Sequence, residues 1–97
     1  MSMRRQVNLA GKVAVVTGGG RGLGRATALA FAAAGAKVVV VSRTKDELEK
    51  VVRLMGDDNG LAVTGDVSEE ATAIRVMEAA VERFGGVDIL MNNAAMV

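Results

Sequence analysis

Four short apolar runs punctuate the chain, near residues 12–17, 36–42, 61–64 and 87–92, and helical periodicity fills the intervals between them. All but the third are almost unbroken and rich in Val, the pattern of parallel strands covered on both faces. The stretch from Arg21 to Ala34 is so rich in Ala, with Leu29 and Phe31, that it is expected to pack closely on a sheet before Gly35 ends it. Thr44-Lys45-Asp46-Glu47 has capping-box spacing for a second helix, whose apolar stripe is Leu48, Val51, Val52 and Met55. For the third helix the expected N-cap is Ser68, followed by Glu69 and Glu70 in the positive first turn, with Ile74, Met77, Val81 and Phe84 facing inward.

Strands alternating with helices predict repeated βαβ units and a parallel sheet, an α/β fold of three Rossmann-like layers. Right-handed crossovers give the sheet order 3-2-1-4 and send the third helix to the opposite face from the first two. No linker, repeat or low-complexity tract divides the chain.

Between the first strand and the first helix stands Thr17-Gly18-Gly19-Gly20-Arg21-Gly22-Leu23-Gly24. Glycines let a strand turn sharply into a helix and let backbone approach a ligand, while the unpaired amides of a helix's first turn attract an anion. A diphosphate suits such a turn. The spacing of Gly18, Gly22 and Gly24 fits no register of the general G-x-G-x-x-G fingerprint. With Thr17 in front, it resembles instead the Thr-Gly-x-x-x-Gly-x-Gly signature of short-chain dehydrogenases/reductases, a family of NAD(P)-dependent oxidoreductases.

Two further segments carry the resemblance, which runs from Leu9 to Ala95. Leu61 to Val67 resembles the family's third strand, whose terminal Asp-Val, here Asp66-Val67, is implied to contact adenine through the carboxylate and a backbone amide. Val87 to Ala95 resembles the fourth strand with its Asn-Asn-Ala-Gly motif, from which Ala95 departs by replacing the last glycine. The resemblance implies that residues 1–97 form a single partial Rossmann dinucleotide-binding domain. Its cofactor-binding set comprises Thr17, Gly18, Gly20, Arg21, Gly22, Leu23 and Gly24 of the first turn, then Ser42 and Arg43, Asp66 and Val67, and Asn92 and Ala94.

The second strand ends in Val41-Ser42-Arg43, where an NAD-type site would carry an acid for the ribose hydroxyls. Ser42 removes the repulsion of a 2′-phosphate and Arg43 offers it a guanidinium fork, with Arg21 available from the glycine turn. Basic residues at these places resemble the NADP(H)-preferring subset, so NADP(H) is expected over NAD(H).

Carbonyl reduction needs a positioned proton donor, which the family supplies through a Ser and a Tyr-x-x-x-Lys pair. The chain contains no tyrosine, and no histidine or cysteine to activate Ser2, Ser42 or Ser68. No catalytic or metal site is expected, and the chain alone is expected to be inactive. Two other readings stand beside this one: a non-catalytic Rossmann-like scaffold or binding module without significant nucleotide affinity, and an unrelated phosphate-binding domain such as a flavodoxin-like one.

Composition narrows the partners. A 97-residue chain with 51% apolar residues can bury roughly 60 to 70% of its unfolded surface. A net charge of +1, with acids and bases interspersed, favours neither nucleic acid nor an anionic membrane over a small molecule. Arg4-Arg5 are not expected to begin an export signal, because Asn8, Gly11 and Lys12 interrupt the apolar stretch one requires. The uncharged run from Ala26 to Ala36 falls far short of the ~20 residues that span a bilayer, and a cytoplasmic location is the default. The fourth strand, with Ile89, Leu90 and Met91 and only Asp88 charged, is expected to be an open edge through which the chain self-associates.

Overall fold

The computed structural model describes residues 7–93. Strand β1 (Val13–Thr17) leads through α1 (Gly22–Ala33) to β2 (Lys37–Ser42), then through α2 (Lys45–Met55) to β3 (Gly60–Thr64), and through α3 (Glu70–Phe84) to β4 (Ile89–Asn92). The four strands form one sheet of order β3-β2-β1-β4, parallel throughout. This is the expected α/β architecture and order.

The unbroken valines follow from burial on both sides. Side chains alternate across the pleat, so Val16, Val38 and Val40 join Ala28, Leu48, Val51 and Met55 in one core beneath α1 and α2. Val15, Val39 and Val41 join Val63, Val76 and Ala80 in a second core beneath α3. Each fully buried Val contributes roughly 1.5–3 kcal/mol relative to exposure, so β1 and β2 anchor both layers.

Helix α1 closes as its sequence predicts. Gly35 has φ +101°, its amide donates to the Ala32 carbonyl at 3.0 Å, and the Ala36 amide donates to Phe31 at 3.1 Å. That pair of bonds satisfies the last carbonyls and turns the chain directly into β2.

Three local expectations require correction. Thr44 does precede α2, but its side chain makes no capping bond; its amide instead donates to Ser42 Oγ at 3.2 Å. Ser68 is not the cap of α3, which begins at Glu70 after Glu69. The Ser68 amide and hydroxyl both donate to Asp66 Oδ1, at 2.9 and 2.7 Å, because an aspartate two residues upstream is a better local acceptor than the helix end is a donor.

The third correction concerns the inward face of α3. Thr72, Val76 and Ala80 are buried and Phe84 packs beside them, whereas Ile74, Met77 and Val81 remain 50%, 46% and 55% exposed. Both stripes have helical spacing, and the one with small residues is the one that reaches the valine surface. The bulkier stripe is left outside, and of it Met77 lines, with Leu90, a groove of about 430 Å³ between α3 and β4.

Candidate functional site

Parallel pairing brings the carboxyl ends of all strands to one rim of the sheet. Thr17 lies opposite both Val41 and Asn92, and Ser42 opposite Thr64. The chain leaves β1 toward β2 on one side, while β4 returns on the other, and such a switch point opens a crevice. Here it is a cleft of about 660 Å³, within the size range of small-molecule sites.

The glycine turn forms its floor. A side-chain carbon on Gly24 would collide with the Gly18 carbonyl oxygen, so α1 can start this close to the turn only with glycine there. Gly22 has open space around it but φ +59°, the left-handed region that glycine enters without penalty. The Arg25 amide is the first in α1 to find a helical acceptor, the Arg21 carbonyl at 3.2 Å, which leaves the amides of Gly22, Leu23 and Gly24 at an open helix end. Arg21 makes no side-chain cap there and the first turn contains no acid. The positive end of the α1 dipole therefore meets the cleft with no acid in its own first turn.

Gly18, Gly20, Arg21, Leu23 and Gly24 line the cleft with Ser42 and Arg43 from the end of β2 and Asp66 and Val67 from the end of β3. Arg21, Leu23 and Arg43 are exposed on its walls. The Asp66 carboxyl is held below its ordinary value of 3.8, first by the Ser68 hydroxyl and amide it accepts and more weakly by the Arg43 charge. Thr17 and Asn92 lie beside the cleft rather than in its lining, and the Thr17 hydroxyl donates to Asn92 Oδ1 at 2.9 Å. Ala94 lies outside the described residues.

Several lining residues escaped the sequence reading: Thr44, Glu47, Gly65 and Asn93. Asn93 was within sight, as the second Asn of the quoted motif; its Nδ2 is buried without a hydrogen-bond partner among the described residues. Glu47 is four residues beyond Arg43, and only the first turn of α2 brings it back. No group of three or more metal-ligating side chains occurs among the described residues.

The model of the short chain dehydrogenase family matches residues 12–97, nearly the whole chain. The chain belongs to the short chain dehydrogenase family. Among curated relatives, fluoren-9-ol dehydrogenase of Terrabacter sp. (strain DBF63) is 41% identical over 93 residues, covering 95% of this chain and 26% of that protein. L-xylulose reductase of Mus musculus is 46% identical over 91 residues, covering 93% and 34%. Among solved structures, L-sorbose reductase from Gluconobacter frateurii, complexed with NADPH and L-sorbose, superposes with a TM-score of 0.86 at 38% identity, covering 95% of this chain and 36% of that one. Apo glucose dehydrogenase of Caenorhabditis elegans gives 0.86 at 36% identity, covering 92% and 40%. The family chain described here thus spans a quarter to two fifths of the length of these relatives. Family membership and the order β3-β2-β1-β4 also dispose of the flavodoxin-like reading, whose sheet is wound 2-1-3-4-5.

Proposed function

We propose that the chain is the NADP(H)-binding portion of a short chain dehydrogenase, a single partial Rossmann domain that binds NADP(H) in preference to NAD(H). The observation that carries this reading is the cleft itself, where the uncapped α1 terminus faces Ser42 and Arg43 across the glycine turn. The residues fit a dinucleotide. The open amides of Gly22, Leu23 and Gly24 suit a diphosphate, Asp66 and Val67 suit an adenine edge, and Arg43 with Arg21 suits a 2′-phosphate. The Asn93 Nδ2, without a partner among the described residues, supplies a donor that a bound hydroxyl or phosphate oxygen would satisfy. That L-sorbose reductase holds NADPH in its complex supports the same reading.

When bound, the nicotinamide would supply a hydride. The residues of this chain bind and orient the adenosine diphosphate half, and we infer no turnover by the chain alone, since it contains no tyrosine or histidine to donate the proton. A cytoplasmic location belongs to the same proposal; among the described residues no helix is long and apolar enough to cross a membrane.

Calorimetric titration with NADPH and NADH tests the reading. Binding in the micromolar to millimolar range, tighter for NADPH, is the expected result, corresponding to about −4 to −8 kcal/mol. A chain that binds neither is the scaffold instead.

The edge position of β4, with Leu90 62% exposed, supports the further proposal that copies of this chain associate through that strand.

A further inference from the structure

The acid missing from the end of β2 enters the cleft from α2. Glu47 lies in that helix's first turn and is half-buried. A side-chain carbon built on Gly20 would lie 3.0 Å from Glu47 Cβ, 3.1 Å from its Oε1 and 3.3 Å from Ser42 Oγ. The carboxylate and the Ser42 hydroxyl thus converge on one spot of the glycine turn, in the cleft that Arg21 and Arg43 also line.

Among the described residues this carboxylate makes no hydrogen bond or ion pair. At the third helical position after Thr44 it is spaced to return a bond to the Thr44 amide, yet that amide is taken by Ser42 Oγ. The one ion pair among the described residues is Lys45 with Glu49, so Glu47 forms none and shares the cleft with the guanidinium groups of Arg21 and Arg43.

On the reading that the cleft takes a nicotinamide dinucleotide, we propose that Glu47 sets how strongly the site distinguishes a 2′-phosphate from a 2′-hydroxyl. A ribose phosphate near Ser42 and Arg43 brings about two negative charges to the same spot as the carboxylate, which repels them. A free ribose hydroxyl instead finds in it an acceptor. Arg43 and Arg21 draw the cleft toward NADP(H), and Glu47 holds that preference down.

The experiment is the paired titration of wild type and Glu47→Gln with NADPH and NADH at low and high salt. Gln keeps the length of the side chain and removes its charge, and circular dichroism checks that α2 persists. The ratio of the two dissociation constants is expected to shift toward NADPH by about tenfold at low salt, and the difference from wild type to shrink as salt screens the charges. Glu47→Ala must move the ratio in the same direction, which covers a Gln variant that folds poorly. Wild type binding both nucleotides while the variants leave the ratio unchanged, or shift it toward NADH, overturns the role of Glu47 alone. Wild type binding neither overturns the cofactor reading and this inference with it.

Discussion

The Thr17 hydroxyl joins the ends of two strands: it donates to Asn92 Oδ1 at 2.9 Å and accepts the Asn93 amide at 3.0 Å. The two motifs that Thr17 and Asn92 belong to are read from the sequence as parts of a nucleotide site, and here each fixes the other. Thr17→Val keeps the shape and removes both bonds. Unfolding in urea is expected to show a loss of about 1–2 kcal/mol, and an unchanged midpoint would mean the clasp contributes nothing.

Arg43→Ala separates the two cofactors. A hydrogen bond to a charged group contributes roughly 1.5–3 kcal/mol, reduced at this exposed position by solvent, so the preference for NADPH should fall by about tenfold with NADH affinity unchanged. Equal losses for both nucleotides would assign Arg43 to the shared diphosphate.

The glycines of the turn should fail in different ways. Gly24→Ala drives a methyl into the Gly18 carbonyl, and a stability loss of about 2–3 kcal/mol is expected in thermal or urea unfolding. Gly22→Val meets no atom but forces a β-branched residue to φ +59°, at about 1–2 kcal/mol, and is expected to abolish nucleotide binding in a protein that still folds. Retained affinity in folded Gly22→Val would make that turn purely structural.

Asp66 titrates below 3.8 because its charged form accepts two bonds from Ser68. A carboxyl whose folded value is depressed adds stability at any pH above its unfolded value, and loses it as pH falls through the folded one. The contribution is therefore present at neutral pH and disappears only in acid below 3.8. In Ser68→Ala the Asp66 carboxyl resonance, followed by NMR, is expected to titrate at higher pH than in wild type; an unmoved midpoint would refute the cause.

Association through β4 predicts a concentration-dependent sedimentation coefficient, most simply for a two-fold dimer of antiparallel fourth strands. Leu90→Lys puts a charge on the 62% exposed position of that strand and should yield a monomer near 10.0 kDa. A variant that associates as readily as wild type would locate the contact elsewhere.

The sheet was legible because its signal is coarse: valine runs buried on both faces and glycine at the first turn leave little choice of order. The inward side of α3 was not, because Ile74, Met77 and Val81 repeat as regularly as Thr72, Val76 and Ala80, and periodicity alone does not say which stripe the sheet selects. Local polar competition was equally hidden. Ser68 and Thr44 have good capping chemistry, but Asp66 and Ser42 supply other bonds. In the cleft, most residues carried by the nucleotide motifs were legible, while Glu47 belonged only to the capping pattern of α2 and came into view as a site residue through the backbone of Gly20.

The attachment of β4 also sets an order of assembly. Besides the Thr17 clasp at its far end, the strand is held at its near end by Asp88, which accepts the Val13 amide through Oδ2 at 2.9 Å and donates its own amide to the Val13 carbonyl at 2.8 Å. These partners are 75 residues apart in the chain, whereas β1, β2 and β3 each meet a strand only one helix away. Closing so long a loop gains nothing until the ends meet, so the first three strands are expected to gather as a unit and β4 to be the last to join. In reverse, β4 peels first: the amides of Leu90 and Asn92 should exchange with solvent well before those of Val39 and Val40, making the rim that completes the cleft also the part of the sheet that opens most easily.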